Sequence, residues 1–590
     1  MKEEKNEFLG LLCNLYLVIL LAVLPLYTGD GYWQLGDIKY TLFRNLSFLC
    51  LGAWLLAGMP ERVRSVTGYV RKRRAYRKIQ EDMVVQAGLK GDGAVRREGP
   101  DRKNAERKQR RETRRRQTVF SGMDLAMISY GICVIVSAVC SSYGKLAWVG
   151  YEGWYMGAIS QLLFIWIYFF VSRQYTGAAL PVYLGEAAFF LVTLLGLLHR
   201  LGIDPLGLMG SWNSRDWEYS HMLSTLGNIN WLCGYYSVAM AFVTVHFFRE
   251  ERRWLQTLLY LISVSAFVLL LIQGSQSGLL ILGACVAVCF WLGRRQSGMW
   301  GKLLLLLAGT FFCMPLMEAL MRLRGNKAAV VADGNIFAFT SWYGWMLAAV
   351  ICLFVFLLQG KKGGDSYGGD PAGEKGRQEA IPVEETQRGA GKGWARKALP
   401  LAALALLAAV LVLAGWLFRR RFDDSFGSGR GFLWRIAVES FMEADVKGKL
   451  LGAGPDCYGE AVFGRLGADT DVWKGEHWEG AVFTNAHNEI LNQLCNVGIL
   501  GTAGYLAIFL AGMYRYGSSG GKRRREETDR QGRQGSLIWL CMGGTGLLAL
   551  VMYGLHSMVS FQQVLNAPLL FLVIGMCEAE RRKNRDESVA

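Results

Sequence analysis

The chain passes from a polar to an apolar region at TNAHNEILNQLCNVGILGT, residues 484–502. This stretch closes a polar segment, rich in glycine and tryptophan, that begins at residue 418 beside three consecutive arginines. The other long connections between apolar runs read as charged spacers. We therefore predict that residues 418–497 form an extracytoplasmic active-site loop carried by a membrane scaffold.

The scaffold is predicted from the apolar runs. Hydrophobic residues make up 52% of the 590 residues and the mean hydropathy is +0.22, which is too apolar for a soluble protein. The runs are about 18–23 residues long, enough to cross roughly 30 Å of hydrocarbon as helices, which satisfy their own backbone hydrogen bonds. We predict an all-α polytopic membrane protein of about fourteen transmembrane helices, with a large, partly helical outer loop between helices eleven and twelve. The predicted helices lie near 8–28, 38–58, 122–142, 155–172, 177–198, 231–248, 255–273, 278–293, 303–321, 336–358, 397–417, 498–514, 536–556 and 565–579.

The formal net charge of +17 has two explanations, nucleic-acid binding or membrane topology. The basic clusters fall in alternate connections between the apolar runs, and placing all of them in the cytoplasm gives every helix a consistent direction. This pattern favours a multi-pass protein of the cell membrane with both termini cytoplasmic and no nucleic-acid partner. The clusters lie at 62–116, 249–253, 294–302, 361–397, 522–533 and 581–585.

The thirteen cysteines are mostly isolated within apolar runs, where cysteine behaves as a small hydrophobic residue. No Cys-x-x-Cys pair indicates a metal or redox site, so we expect neither a metal nor a cofactor. Cys457 and Cys495 fall in the outer loop, where they either form a disulfide or remain free thiols.

Arg430 is the first candidate catalytic residue, and its predicted role is to bind an anion. It lies in the flexible stretch Gly427–Gly431, ahead of residues 432–442, whose apolar positions recur at helical spacing. Arginine grips phosphate with two parallel hydrogen bonds, and a helix start also favours anions. The alternative is contact with lipid head groups. The glycine-rich turn at 451–456 is predicted to serve close backbone packing.

His487 is the candidate catalytic residue. An imidazole titrates near neutral pH and can take a proton from a sugar hydroxyl as a general base. Asn488 beside it would hold the imidazole or a substrate oxygen. The alternative is an ordinary surface histidine. Gly498 and Gly501 would let the following helix approach a neighbour closely.

Two other outer connections carry candidate binding residues. The connection 199–230 contains Arg215, Asn228 and Asn230, and the two asparagines are either helix caps or hydroxyl-binding groups. Arg324 lies in the outer connection near 322–335, where a basic residue opposes the charge bias and suggests anion binding.

These motifs resemble those of the O-antigen ligase/polymerase family, which protein O-oligosaccharyltransferases share. His487-Asn488, followed after nine residues by Gly498-x-x-Gly501, resembles the family's His-Asn…Gly-x-x-Gly signature. Arg430-x-x-x-Trp434 resembles the motif that opens its large outer loop. Gly452-x-Gly454 and Gly227-Asn228-Ile229-Asn230 resemble two further family motifs. The likeness covers about 120–580 and is specific within 425–505.

The resemblance implies a metal-independent, inverting glycosyltransferase on the outer face of the membrane. Its donor would be an oligosaccharide linked to undecaprenyl diphosphate, and its acceptor a glycan, lipid or protein. His487 would activate or position the acceptor hydroxyl, and Trp434 and Asn488 would contact substrate. The family's diphosphate-binding arginine after a Thr-x-Ser turn is absent, since Gly278 follows Ser275-Gln276-Ser277. That role would fall to Arg430, Arg215 or Arg324.

The predicted organisation divides the chain into six regions. They are a first helical hairpin (1–58), a basic cytoplasmic loop (59–121), a transmembrane core (122–358), a flexible cytoplasmic linker (359–396), an O-antigen-ligase-like region (397–580) with the outer loop 418–497, and a cytoplasmic tail (581–590).

Polymerisation and ligation of surface polysaccharide would use the same donor and the same side chains, so the sequence leaves both open. The alternative is a lipid-linked glycan flippase or other transporter without catalysis. Transporters usually keep ionisable groups deep in the membrane. Asp124, Glu186, Glu318 and His246 instead lie toward the ends of their predicted helices, which disfavours that alternative.

Overall fold

Long helices make up most of the computed structural model, and the only strands among its described residues form one short hairpin. The structure describes residues 2–57, 120–210, 212, 216–293, 299–325, 328, 343–360, 423–466, 483–517 and 536–587. The all-α class is confirmed over these residues. The predicted helix at 397–417, the linker 359–396 beyond residue 360 and most of the basic loop 59–121 lie outside them.

The helices are numbered in chain order. The first, α1, runs through Lys2–Val18, a π-helical turn at Ile19–Val23 and Leu24–Leu26. The others are α2 Leu35–Ala57, α3 Gly122–Cys140, α4 Lys145–Val149, α5 Ala158–Gln174, α6 Leu180–Arg200, α7 Trp217–His221, α8 Ile229–Arg249, α9 Arg253–Ile272, α10 Gln276–Gly293, α11 Met299–Arg324, α12 Tyr343–Gly360, α13 Phe426–Glu443, α14 Val446–Leu451, α15 Tyr458–Leu466, α16 Glu489–Gly517, α17 Ser536–Ser557 and α18 Ala567–Glu587. The hairpin pairs β1 Met222–Leu223 with β2 Gly227–Asn228.

Nine helices of the described residues are long and apolar enough to cross a membrane: α1, α2, α3, α6, α8, α9, α10, α11 and α16. A multi-pass membrane protein is thereby supported. Helices α5, α12, α17 and α18 coincide with four more predicted segments. The count of fourteen stays a prediction.

Ion pairs gather at one end of the bundle. Asp124 at the start of α3 pairs with Arg173 of α5 at 3.3 Å and with Arg582 of α18 at 2.6 Å. Arg515 of α16 pairs with Glu578 of α18 at 2.7 Å. All five residues belong to helix ends predicted to be cytoplasmic, so the alternation of helix direction agrees with the packing. Which side of a membrane this end faces stays a prediction.

The other end, which carries residues 423–466 and 483–488, we call the loop end. Its α13 and α15 pack around a small core of their own, which includes Phe432, Ile436, Tyr458 and Val462. The extended turn after α14 runs beside α16, where Ala453 N donates to Cys495 O at 2.9 Å and Gly454 N donates to Asn496 O at 2.8 Å. The predicted close backbone packing of the glycine turn is confirmed. Cys457 and Cys495 are buried free thiols.

Gly498 has the left-handed φ of +69° inside α16, and a Cβ there would overlap the backbone of Leu450. We expect Gly498→Ala to lower the free energy of unfolding by about 2–4 kcal/mol, because left-handed strain and overpacking add. Gly283→Ala is the matched control, since nothing lies within 4 Å of a Cβ at that helical position. Thermal unfolding in detergent compares the two, and equal melting temperatures would contradict the packing described.

Candidate functional site

His487 lies in the short connection that leads into α16, and its backbone is strained. Its φ is +46°, a left-handed conformation that costs most non-glycine residues free energy. Two asparagines hold this turn: Oδ1 of Asn485 accepts from His487 N at 3.1 Å, and Oδ1 of Asn488 accepts from Ile490 N and Leu491 N at 3.0 and 3.2 Å. The turn therefore fixes where the imidazole points.

The His487 ring packs edge-on against Phe561, with ring centroids 5.0 Å apart. Phe561 in turn contacts Trp154, which contacts Trp231 at the start of α8. The aromatic loop at 145–155 thus contributes to the wall of the site. Burial, followed by the nearby Arg430 charge, lowers the pKa of His487 to about 4. The imidazole is therefore neutral at physiological pH and free to accept a proton.

Arg430 differs from Arg435, the other arginine of α13, in having no acidic partner among the described residues. Its Nη1 donates to Gly427 O at 3.0 Å, and its Nε is buried without a partner in that part of the chain. Arg435, by contrast, pairs with Asp424 at 2.6 Å and with Glu439 at 3.3 Å. A half-buried guanidinium without a carboxylate is a ready site for an anion.

The Arg430 charge acts on three groups from separate elements: His487, His556 at the end of α17, and the Cys233 thiol on α8. Cys233 lies beside Ser275 and Ser277 in the turn before α10. Arg430 and His487, which were predicted from separate motifs, therefore both lie at the loop end, close enough for the Arg430 charge to act on the imidazole.

The remaining predicted residues have structural contacts. Asn488 caps α16, and Asn228 caps α8 by accepting from Asn230 N at 2.8 Å. Oδ1 of Asn230 accepts from Ser275 Oγ at 2.6 Å, which joins α8 to the Ser275 turn. Arg324 donates to the Leu201 and Gly202 carbonyls at 2.9 and 3.3 Å.

Trp434 packs beside the small core of the loop end, with its ring centroid 5.9 Å from that of Phe426. Arg215, the remaining predicted substrate-binding residue, lies outside the described residues.

Sequence reasoning missed two basic residues. His556 is almost fully buried at the end of an apolar run that reads simply as a membrane helix. Arg200 is fully buried, and its guanidinium donates to Ser220 O at 3.0 Å and to Gln273 O at 2.5 Å, so that it supports the turn before α10. The signal available for His556 was the set of polar residues between two apolar segments, namely Ser557, Ser560, Gln562, Gln563 and Asn566.

A small polar cavity of about 20 Å³ lies behind the site, lined by Asp456, Asn485, Glu489, Phe561 and Gln562 among others. Burial raises the pKa of Asp456 to about 7, although its Oδ2 accepts from Tyr151 N at 2.9 Å and from Met156 N at 3.1 Å. This volume holds about one water molecule and no sugar ring.

We expect Arg430→Gln to raise the pKa of His487, because one of the two causes that lower it is removed. Deuterium exchange at the imidazole C2 position, followed by mass spectrometry, reports the pKa of each histidine separately. The folded pKa lies below the usual 6.5, so the unfolded chain binds the proton first as pH falls. The free energy of unfolding is therefore unaffected by His487 above about pH 6.5, and it decreases as the pH falls from there toward 4. If the pH midpoint of deuterium exchange at His487 is the same in Arg430→Gln as in the wild type, the Arg430 charge does not reach His487.

No family model matches the chain, and no curated protein matches it. The arrangement of the site residues and the motif resemblance are therefore what indicate a function.

Proposed function

We propose that the protein is a membrane glycosyltransferase that uses a glycan linked to undecaprenyl diphosphate as donor. In this proposal it polymerises or ligates surface polysaccharide on the outer face of the cell membrane. The observation that carries the proposal is that Arg430, a guanidinium without an acidic partner among the described residues, lies at the loop end of the bundle with its charge acting on a neutral imidazole, His487.

Arg430 would bind the diphosphate of the donor. The leaving group gains negative charge as its bond to the sugar breaks, and a fixed cation stabilises that charge. Arg430 already stands without an acidic partner among the described residues, so no ion pair has to break when a diphosphate binds. The family's arginine is absent after Ser277, and of the three arginines that could replace it we assign the role to Arg430.

His487 would act on the acceptor. Its imidazole accepts the proton of the acceptor hydroxyl while that oxygen attacks the anomeric carbon, and the carbon–oxygen bond to the diphosphate breaks with its electron pair. Attack opposite the leaving group inverts the anomeric centre. A bound diphosphate offsets the Arg430 charge, which raises the pKa of His487 and makes it a stronger base once the donor is in place.

The membrane setting supports a lipid donor. Helices α10 and α17 reach the site at their ends, through Ser277 and His556. A polyprenyl chain would lie along the apolar helices while its head group meets Arg430 at the loop end.

The test is bond formation by the purified chain in liposomes that contain lipid-linked oligosaccharide. We expect new glycosidic linkages together with stoichiometric release of undecaprenyl diphosphate. Products that lengthen stepwise would indicate a polymerase, and a single transfer to an added acceptor would indicate a ligase. Movement of intact donor across the bilayer without linkage change would overturn the proposal in favour of a transporter.

A further inference from the structure

Asp456 is a buried carboxylate that holds the aromatic loop beside the candidate base. Its Oδ2 accepts from Tyr151 N at 2.9 Å and from Met156 N at 3.1 Å, the two residues that bracket Trp154. A Cβ on Gly150 would overlap the same oxygen, so the backbone closes tightly around it. The carboxylate has no basic partner among the described residues, and its hydrogen bonds therefore serve the shape of this loop.

The position of Asp456 is fixed with respect to α16, the helix that begins two residues after His487. The glycine turn at 452–454, just before Asp456, hydrogen-bonds to the backbone of α16. Asp456 has the left-handed φ of +61°, and Tyr155 in the aromatic loop has a φ of +52°. Strained conformations of this kind persist where the surrounding contacts over-determine them. The carboxylate therefore reaches the aromatic loop from a rigid support.

The contacts continue from the aromatic loop to the imidazole. Trp154 makes a T-shaped contact with Phe561, with ring centroids 5.1 Å apart, and Phe561 makes another with His487 at 5.0 Å. A second buried carboxylate holds the turn that carries Phe561, because Oε2 of Glu489 accepts from Gln562 N at 2.7 Å. This path of contacts leaves α16 at the glycine turn and returns to it at His487.

We propose that Asp456 is a positioning residue for His487, an inference that rests on the proposed function. By holding the backbone on both sides of Trp154, Asp456 keeps that ring against Phe561, and Phe561 fixes the orientation of the imidazole. In this role Asp456 touches neither the substrate nor the reacting atoms. A general base must lie within hydrogen-bonding reach of the proton that it takes, and a misplacement of about 1 Å can cost about 10²-fold in rate.

The experiment measures initial rates of undecaprenyl diphosphate release by the full-length chain in liposomes, with the donor concentration varied. Asp456→Gly accepts the left-handed φ but offers no acceptor to Tyr151 N and Met156 N. We expect kcat to fall about 10²-fold. The KM for the donor should change less than about twofold, since Arg430 is untouched. Asp456→Asn keeps an acceptor oxygen and tolerates the φ, so its kcat should fall less than about tenfold.

A double variant separates positioning from a general loss of structure. If Asp456 acts through His487, adding Asp456→Gly to His487→Asn should lower kcat no more than about twofold, because the group to be positioned is already gone. A merely structural role would instead multiply the two losses.

Glu460→Gln is the matched control. The Glu460 carboxylate contacts the same loop only through the phenol of Tyr151, whose Oη lies 3.4 Å from Oε1. This contact is exposed and does not hold the loop backbone. We expect the variant to keep kcat within about threefold of the wild type.

Trp154→Leu tests the same path of contacts if Asp456→Gly is too unstable to purify. It removes the ring that contacts Phe561 and leaves both hydrogen bonds of Asp456 in place. We expect the same selective loss of kcat, about 10²-fold, and no further loss when it is added to His487→Asn.

The outcomes distinguish the two proposals. If the wild type releases no undecaprenyl diphosphate, the proposed function itself fails. The positioning role is overturned, and glycosyl transfer stands, if the wild type is active and Asp456→Gly, or Trp154→Leu in its place, keeps kcat within about threefold. The same holds if that variant raises the donor KM as much as it lowers kcat, or if its loss multiplies with that of His487→Asn.

Discussion

Arg430→Gln is expected to lower kcat/KM for the lipid-linked donor by about 10²–10³-fold, the usual effect of removing a group that stabilises charge in the transition state. The guanidinium has no acidic partner among the described residues, and its removal breaks only the hydrogen bond to Gly427 O. The fold should therefore survive. Initial rates of undecaprenyl diphosphate release in liposomes measure the effect.

Arg435→Gln is the matched control, because Arg435 lies on the same helix and its charge is already paired with Asp424 and Glu439. We expect its rate to stay within about threefold of the wild type, since exposed ion pairs contribute little. Equal losses in the two variants would indicate a general effect on α13 and would count against a specific role of Arg430.

His487→Asn should lower kcat by about 10²–10⁴-fold, the range over which general bases contribute. Asparagine is the suitable substitution because it tolerates the left-handed conformation that His487 adopts, whereas alanine would add backbone strain. The loss should appear in kcat more than in donor affinity, since His487 acts on the acceptor. Single-turnover rates with saturating donor give kcat directly.

His487→Gly tests whether the imidazole or the backbone matters. Glycine also accepts the +46° φ, so both variants keep the turn and both should be inactive. Restored activity of His487→Gly on addition of free imidazole would support the general-base role. Turnover at the wild-type rate in either variant would exclude His487 from the chemistry.

Much of the bundle could be predicted because membrane helices leave a strong local signal. Run length and hydropathy identified the nine candidate spans, and the spacing of Trp434, Ala437, Val438 and Phe441 predicted α13. The glycine turn at 452–454 was also predictable, because glycine at such positions usually permits close backbone approach.

The details of the site were harder to predict, since they depend on contacts between distant segments. The sequence predicts that Asn488 holds the imidazole or a substrate oxygen. In the structure its Oδ1 accepts hydrogen bonds from two backbone N–H groups at the start of α16 and so caps that helix. His556 becomes notable only when α17 packs on Gly234 of α8, more than three hundred residues away in sequence. One chain read alone does not reveal such a pairing.

The most direct test of the central claim is to determine on which side of the membrane the loop end lies, because an exported donor can reach only an outer site. Val446→Cys places a thiol at an exposed position of α14, and Asn584→Cys places one at an exposed position at the opposite end of the bundle. A membrane-impermeant maleimide applied to intact cells, with the unmodified protein as background, should label Val446→Cys at once and Asn584→Cys only after permeabilisation. The reverse pattern would put Arg430 and His487 in the cytoplasm and would contradict the account.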